Sequence, residues 1–302
     1  MAIPKTAVVI PTYNSSRYLV QAIDSVLAQT WQDLEILVID DGSTDETERV
    51  MRRYQSPVRY IYQQNGGVAI ARNRGIAESK GKYVAFLDAD DTWLPHKLEL
   101  QIEALQKQPQ YRACYSALAV ADAELNPLSI NYSYRQSSTL EDLLLRGNVI
   151  ATPSSVLCER SLFDVAGGFD PKLSQCADWD MWVRLAVQTE FLYLDEPLVT
   201  YRQHGANMSR NAPLLEHDSL QVLTKGFAIP ELSEPLRARR QTGFARNYMV
   251  LAGTYFHAHQ YRDFARCAIL AVSMDFSQLS YLAAFPKRIA ARLKTKKLGE
   301  AI

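Results

Sequence analysis

Residues 83–91 read YVAFLDADD, a run of five residues suited to a buried strand followed by three carboxylates within four positions. Two earlier stretches have the same design. Residues 7–14 read AVVIPTYN and residues 34–43 read LEILVIDDGS, so each apolar run again ends in a polar cluster. Short apolar runs bounded by turn residues are typical of strands that are buried on both faces. We therefore predict three core strands, each followed by a polar loop.

Helical patterns lie between and after these strands, over residues 17–28, 68–78 and 96–107. Ser43 and Glu46 stand three apart, as in a capping box, and predict a helix that begins there and runs to about Tyr54. A further strand is predicted over residues 58–62. Strands that alternate with helices predict an α/β fold, with a mostly parallel sheet flanked by helices. Ligands bind at the carboxyl edge of such a sheet, where the three polar loops would meet.

The pattern becomes mixed after residue 112. Strands are predicted over residues 113–120, 154–158, 191–194 and 198–201, and helices over 140–146 and 178–187. Residues 126–138, rich in Ser, Tyr and Asn, are interpreted as a loop. Strand patterns stop near residue 211. This change predicts a domain of residues 1–210 followed by a helical C-terminal region of residues 211–302.

Composition excludes several classes of protein. The 302 residues carry no net formal charge, so no overall field favours nucleic acid as a partner. The four cysteines are scattered without a C-x-x-C pair, which favours a reducing compartment over a zinc site or a disulfide framework. With no signal peptide pattern and no apolar run of about 18 residues, we predict a cytoplasmic protein that meets a membrane, if at all, from its surface.

The acidic cluster after the strand at residues 83–87 suggests a cation site. Asp88 and Asp90 are two apart, so both carboxylates would share one side if the extended conformation continued. Grouped carboxylates bind Mg²⁺ or Mn²⁺, with substrate phosphates completing the shell. The alternative is a solvated acidic turn that caps the next helix. Tyr13 would either pack on its neighbours or stack on a base near Asp41.

At this point the sequence resembles glycosyltransferase family 2, the inverting nucleotide-sugar enzymes with the GT-A fold. The matching stretches, in order, are Val8–Asn14, Val38–Asp45, Ala71–Gly75, Phe86–Asp91, Gly167–Asp170, Asp178–Trp182 and Tyr201–His204. Together they extend over about residues 5–210. An ordered series of this kind is far more specific than any one of its members.

The resemblance implies a nucleotide-sugar donor, with a UDP-sugar favoured, and a Mn²⁺ or Mg²⁺ cofactor. It implies a glycan or lipid-linked acceptor, in polysaccharide or cell-envelope glycan synthesis. Residues 1–112 would form the nucleotide-binding half of the domain and residues 113–210 the acceptor half. The implied donor-binding residues are Pro11, Thr12, Tyr13, Asp41, Arg72 and Asp88. The implied metal ligands are Asp90 and His204.

Asp178 matches the catalytic base of the family. Read from the residues alone, an Asp just before the apolar helical pattern at residues 181–185 is interpreted as an N-cap rather than as a base. Family members commonly carry Glu immediately before this Asp, whereas this chain has Ala177. The acidic neighbour of the base is therefore absent, which puts the tuning of the base in question.

Two features leave alternatives open. Residues 285–297 carry six Lys and Arg side chains with Phe285, Ile289 and Leu293 between them, which suits either an anionic membrane surface or a solvated helix end.

A sugar-phosphate nucleotidyltransferase and a non-catalytic nucleotide-sugar-binding scaffold are the rival functions. The loop at residues 11–14 has no glycine, which disfavours the first rival and also a G-x-G-x-x-G dinucleotide site.

Overall fold

The computed structural model of the chain describes residues 6–131, 136–205 and 211–283. Within these residues, nine strands form one sheet in the order β3-β2-β1-β4-β8-β6-β9-β5, with β7 paired to β6. The strands are β1 (Thr6–Thr12), β2 (Leu34–Asp40), β3 (Val58–Tyr62), β4 (Tyr83–Phe86), β5 (Thr92–Trp93), β6 (Ala113–Ala121), β7 (Pro127–Asn131), β8 (Val156–Glu159) and β9 (Phe191–Arg202). Strands β3, β2, β1 and β4 are parallel, and β6 is parallel to β9. The pairs that involve β8, β7 and β5 are antiparallel.

Helices connect and cover the strands. They are α1 (Ser16–Leu27), α2 (Thr47–Met51), α3 (Val68–Glu78), α4 (Lys97–Lys107), α5 (Leu140–Leu145), α6 (Leu162–Ala166), α7 (Ala177–Leu185), α8 (Ala212–Gly226), α9 (Glu234–Ala238), α10 (Arg240–His257), α11 (Tyr261–Met274) and α12 (Gln278–Ala283). A 3-10 turn at Pro153–Ser155 precedes β8. None of the helices in the described ranges is long and apolar enough to cross a membrane.

The parallel strands are buried because helices lie on both faces. Every residue of β1 and β2 is buried, which explains why their sequences are continuous apolar runs rather than alternating ones. Leu19 and Ile23 of α1 cover one face, together with Val26. On α3, a Cβ at Gly75 would overlap the Val9 side chain of β1. Glycine therefore lets α3 approach the sheet closely.

Three local predictions were wrong. The Ser43–Glu46 capping box does not form. Helix α2 begins at Thr47, and the residue at its cap makes no side-chain hydrogen bond. The Ser43 hydroxyl instead accepts a hydrogen bond from the Asn14 N–H at 2.9 Å. The loop predicted over residues 126–138 contains β7, which pairs with β6. The two strands predicted over residues 191–201 are one strand, β9, whose register against β6 shifts midway.

The chain divides into two compact units. The first comprises residues 1–140 and 148–207, and the second comprises residues 141–147 and 208–302. The first unit holds the sheet and its core. In the second, Leu251 and Tyr255 of α10 pack with Cys267 of α11 in a separate apolar cluster. The domain boundary predicted at residue 210 lies outside the described residues, as does the basic stretch 285–297.

Candidate active site

The polar loops after β1, β2 and β4 meet at one edge of the sheet. Parallel pairing sets Thr12 of β1 opposite Asp40 of β2 and Val9 of β1 opposite Phe86 of β4. Pairing continues just past the strands, where the Asp41 N–H donates to the Thr12 carbonyl at 2.9 Å and the Leu87 N–H to the Val9 carbonyl at 3.0 Å. The three clusters expected at the carboxyl edge are therefore neighbours.

The residues predicted to bind the nucleotide differ in their exposure. Pro11 and Thr12 are buried within β1, and the Thr12 hydroxyl has no hydrogen-bond partner in the structure. Tyr13 is 51% exposed, so its ring is open to a stacking partner. It follows directly on the last residue of the strand, at the edge where ligands bind in open α/β sheets.

Asp41 organises a neighbouring loop. One of its carboxylate oxygens accepts hydrogen bonds from the Gln63 side chain at 2.7 Å and the Gly66 N–H at 2.9 Å, and the other accepts from the Gly67 N–H at 2.7 Å. Gly67 has φ +92°, a conformation that favours glycine. The buried carboxylate thus fixes the loop that leads from β3 into α3. Sequence reasoning did not anticipate this role.

The acidic segment 88–91 is a turn. The Asp91 N–H donates to the Asp88 carbonyl at 3.0 Å, so the extended conformation ends with the strand, and the condition under which Asp88 and Asp90 would share one side is not met. Asp91 is buried and accepts hydrogen bonds from the Ser154 hydroxyl at 2.6 Å and the Arg202 N–H at 3.0 Å. Burial raises the pKa of Asp91 well above its usual range, and Asp90 adds to the rise. Asp91 therefore anchors the turn.

Asp90 and His204 form a pair at this turn. The His204 Nε2 lies 2.8 Å from the Asp90 Oδ2, and the His204 ring packs on Tyr18 at 4.9 Å between centroids. Burial, followed by the charge of Asp88, raises the pKa of Asp90, whereas the bond to His204 lowers it. A cation beside Asp90 would relieve this repulsion between neighbouring carboxylates.

Arg202 fixes the turn from the end of β9. Its Nε donates to the Asp90 carbonyl at 2.7 Å, and its two terminal nitrogens donate to the Ala123 carbonyl and the Gln21 side chain, both at 2.6 Å. The guanidinium also lies 4.6 Å from the centre of the Tyr18 ring. The stretch Tyr201–His204 led to the prediction of His204 as a ligand, but Arg202 was missed. A charged residue at the end of a buried strand could have indicated it, because such residues are seldom buried without a partner.

The donor atoms at this pair suit a hard divalent cation. Among residues 6–131, 136–205 and 211–283, no group of three or more His, Cys, Asp or Glu side chains is placed to hold a metal ion. Asp90 and His204 are two potential donors that lie next to each other, with 2.8 Å between the Nε2 and the Oδ2. Mg²⁺ is commonly held by one or two carboxylates with substrate phosphates completing the shell, and imidazole is an ordinary ligand for transition metals. The pair fits an ion that is bound together with its substrate.

Arg72 lies between the acidic turn and Phe169. Its guanidinium donates to the Asp88 Oδ1 at 2.7 Å and lies 5.5 Å from the centre of the Phe169 ring. The side chain is buried, and its Nε has no hydrogen-bond partner in the structure. Asn73 holds Phe169 in place through two hydrogen bonds. The Asn73 Nδ2 donates to the Phe169 carbonyl at 2.8 Å, and the Phe169 N–H donates to the Asn73 Oδ1 at 2.6 Å.

Asp178 lies in the first turn of α7. The cap position is Cys176 and the helix begins at Ala177, so the alternative of Asp178 as an N-cap was wrong. One Asp178 oxygen accepts from the Trp179 N–H at 2.8 Å and the other from the Asn148 amide at 3.0 Å. Burial raises the pKa of Asp178, while the Arg72 guanidinium lowers it. Asp178 and Arg72 thus interact electrostatically.

Comparison with known sequences identifies the family. A family model described as glycosyl transferase family 2 matches residues 7–165, more than half of the chain. An uncharacterized glycosyltransferase of Rickettsia prowazekii (strain Madrid E) is 30% identical over 271 residues, which cover 82% of this chain and 83% of that protein. The chondroitin synthase of Escherichia coli is 30% identical over 210 residues, which cover 68% of this chain and 30% of that protein.

Solved structures share the fold at low sequence identity. S. aureus TarS 1-349 matches with a TM-score of 0.62 at 16% identity, over 87% of this chain and 90% of that chain. TarS has also been solved with UDP and with UDP-GlcNAc. The mannosyltransferase PcManGT of Pyrobaculum calidifontis, in complex with GDP-Man and Mn²⁺, matches with a TM-score of 0.66 at 17% identity, over 99% and 84%. The predicted GT-A fold, including its helical C-terminal region, is confirmed.

Sequence and fold agree. The family model matches more than half of the chain, and the Rickettsia relative is matched over most of its length. The predicted family and enzyme class are therefore confirmed, and the chain is a glycosyltransferase that belongs to family 2.

Proposed function

We propose that this glycosyltransferase inverts the anomeric centre, moving a sugar from a nucleoside-diphosphate sugar to an acceptor hydroxyl in a single displacement. The cluster around Arg72 is the observation that carries the proposal. Arg72 binds Asp88 at 2.7 Å and lowers the pKa of Asp178, while Asp88 raises the pKa of Asp90. A base and a cation site then belong to one group of interacting charges. A single displacement needs both groups near one sugar. The base serves the acceptor hydroxyl that attacks on one side, and the cation serves the nucleoside diphosphate that leaves on the other.

Asp178 is the proposed base. Its carboxylate takes the proton of the acceptor hydroxyl as the acceptor oxygen bonds to the anomeric carbon. The bond from that carbon to the diphosphate oxygen breaks, and the nucleoside diphosphate leaves with the electron pair. Such a base contributes about 10²- to 10⁴-fold to the rate. Burial raises the pKa of Asp178, which makes its carboxylate a stronger base, and Arg72 favours the ionised form that accepts the proton.

Asp90 and His204 are the proposed metal ligands, together with oxygens of the donor diphosphate. A Mn²⁺ or Mg²⁺ ion bound there supplies positive charge against the charge that develops on the departing nucleoside diphosphate. Arg202 holds the backbone of Asp90 at 2.7 Å, and Tyr18 supports the His204 ring. These contacts keep the two ligands oriented before the donor arrives.

The donor nucleotide is proposed to bind at the ends of β1 and β2. Tyr13 offers an exposed ring for the base, and Pro11 and Thr12 form the strand end beneath it. Asp41 shapes the adjoining loop through its bonds to Gly66 and Gly67. We favour a UDP-sugar, which is in keeping with the UDP-GlcNAc complex of the similarly folded TarS, while GDP-Man in PcManGT makes GDP-sugars the alternative.

The acceptor is proposed to be a glycan or a lipid-linked glycan, in polysaccharide or cell-envelope synthesis. The similarity to a chondroitin synthase supports a glycan acceptor. In this proposal residues 1–112 bind the nucleotide and residues 113–210 bind the acceptor, where Asp178 lies. None of the four cysteines, all of which lie in the described ranges, is in a disulfide, which supports the proposal of a cytoplasmic location.

A panel of nucleotide sugars, each incubated with Mn²⁺ and candidate glycan acceptors, tests the proposal. We expect one UDP-sugar to be consumed. NMR of the product should show that the anomeric configuration is inverted relative to that of the donor. Asp178→Asn should abolish transfer and preserve Mn²⁺-dependent nucleotide binding in calorimetry, whereas Asp90→Ala should remove the metal dependence of binding. Asp164→Asn, at an exposed carboxylate of α6, is the matched control. Full activity in Asp178→Asn would show that Asp178 is not the base. Nucleotide binding that still depends on Mn²⁺ in Asp90→Ala would show that Asp90 is not a metal ligand.

We also propose peripheral contact with an anionic membrane through residues 285–297. The preceding segment supports it, since Ile269 of α11 and Phe276 in the turn after α11 are 69% and 75% exposed and line an apolar groove of about 740 Å³ with Leu279. Apolar insertion combined with a basic segment is the pair of signals that stable membrane binding requires. The full chain should co-sediment with vesicles that contain phosphatidylglycerol, and Phe276→Asp should weaken this. Dimerisation through the groove, seen in sedimentation without lipid binding, would overturn the proposal.

A further inference from the structure

Asn148 contacts the proposed base directly. Its Nδ2 donates to the Asp178 Oδ2 at 3.0 Å, across 30 residues of sequence. Asn148 follows Gly147, whose φ of +92° turns the chain at the end of the α5 segment. The other Asp178 oxygen accepts from the Trp179 N–H at 2.8 Å. Within the described part of the chain, each carboxylate oxygen therefore has one donor and keeps a lone pair, because an ionised carboxylate offers about four acceptor positions.

The charges that face Asp178 come from two other elements. Arg72 of α3 favours the ionised carboxylate, and Asp88 in the turn after β4 opposes it. The residue before Asp178 is Ala177, where the family resemblance leads one to expect Glu. Ala177 is buried and offers no polar group. Among the residues that the structure describes, the neutral amide of Asn148 is thus the side chain that is hydrogen-bonded to Asp178, whose preceding residue lacks the expected acidic group.

We propose that Asn148 is a positioning residue, which orients the Asp178 carboxylate to take the proton of the acceptor hydroxyl and favours the ionised form of that carboxylate. This inference rests on the proposed role of Asp178 as the base. A hydrogen bond donated to a carboxylate stabilises the ionised state relative to the protonated one. Because an amide nitrogen cannot accept a proton, the proton taken from the acceptor stays on Asp178 until it is released to solvent. A fixed carboxylate also avoids reorientation in the displacement step.

Two substitutions separate orientation from charge. Asn148→Ala removes the donor, and we expect kcat to fall about 10- to 100-fold, as for loss of a hydrogen bond to a charged group. The acidic limb of the pH profile of kcat/KM should move up by about one pH unit. Asn148→Asp keeps the shape, removes the donor and adds a like charge, so it should move the limb further. The KM for the donor sugar should stay unchanged in both variants.

Asn126→Ala is the matched control. Asn126 makes the same type of bond, from its Nδ2 to the Asp122 Oδ2 at 2.9 Å, in an exposed turn that two backbone hydrogen bonds to Asp122 also hold. Its loss should leave kcat and the pH profile unchanged. Circular dichroism of each variant checks the fold, and the isosteric Asn148→Asp keeps the test informative if Asn148→Ala does not fold.

The outcomes are distinct. A displaced acidic limb in the Asn148 variants, with an unchanged KM for the donor, supports the inference. A lower kcat with an unmoved pH profile would reduce Asn148 to a structural residue and overturn it. A different result would refute the proposed function, since activity retained in Asp178→Asn would show that Asp178 is not the base. An inactive Asp178→Asn together with unaffected Asn148 variants would overturn this inference alone.

Discussion

A methyl group added at Gly168 would meet the amide of Asn73. The ideal Cβ lies 2.5 Å from the Asn73 Oδ1 and 2.8 Å from its Cγ, closer than side-chain contacts allow. That amide cannot withdraw freely, because it holds the Phe169 backbone through hydrogen bonds of 2.8 and 2.6 Å. Gly168 itself does not have a positive φ, so alanine is compatible with its backbone. The cost of Gly168→Ala should therefore come from the clash alone.

The magnitude follows from the two interactions. Overpacking of this kind costs about 1 to 3 kcal/mol in the free energy of unfolding. Asn73→Ala loses two hydrogen bonds, about 1 to 3 kcal/mol in total. If the effects were independent, the double variant would lose their sum. We expect instead that Gly168→Ala is nearly neutral in the Asn73→Ala background, since the clashing atoms are gone and alanine lowers the entropy of the unfolded chain.

Urea unfolding followed by tryptophan fluorescence measures this cycle in the full chain. All four tryptophans, Trp31, Trp93, Trp179 and Trp182, lie in the first compact unit, so the signal reports on the unit that contains Gly168. Gly167→Ala is the matched control. Gly167 has φ +74° and no neighbour within 4 Å of an added Cβ, so its cost comes from the backbone and Asn73→Ala should not relieve it.

Additive free energies in the Gly168–Asn73 cycle would refute the reasoning. So would relief of the Gly167→Ala cost by Asn73→Ala, because that result would trace both effects to a general loosening of the segment. A coupling energy equal to the whole cost of Gly168→Ala would place the clash at the Asn73 amide.

Three further predictions concern ionisable groups. Because burial raises the pKa of Asp178, transfer should fall as the pH drops through a value above the ordinary carboxyl pKa of about 3.9, as kcat/KM measured against pH will check. Burial lowers the pKa of Lys97 to about 7. Between this value and the unfolded pKa of about 10.4 the unfolded state binds the extra proton, so the urea midpoint of the wild type should rise with pH and that of Lys97→Met should not. Asp91→Ala leaves the Ser154 hydroxyl and the Arg202 N–H without their acceptor and should cost about 2 to 5 kcal/mol, whereas Asp91→Asn retains one acceptor and should cost less in the same urea experiment.

The regular elements of the first half could be predicted closely. Helix α3 has the bounds expected from its pattern, Val68–Glu78, and the core strands fall where the apolar runs are. These features depend on local periodicity, since a strand buried on both faces must be apolar throughout. The sharing of one edge by the polar loops also followed from the sequence, because parallel strands that alternate with helices all end on the same side.

The acidic turn could not be predicted in its detail. Asp88 and Asp90 would share one side only if the extended conformation continued past the strand, but the chain turns where a hydrogen bond joins Asp91 to Asp88. The turn is stabilised by Ser154 and Arg202, which are distant in sequence. Periodicity carries no information about such partners.

The sequence by itself determined the family, the α/β architecture and the set of acidic residues, because these depend on patterns within short segments and on their order. Only the tertiary structure decided which side chain each acid contacts. Asn148 lies 30 residues from Asp178 in the chain, and Arg202 lies 112 residues from Asp90. The physical reason is that a buried polar group takes the nearest donor that folding supplies, and that donor is selected by packing across the whole sheet.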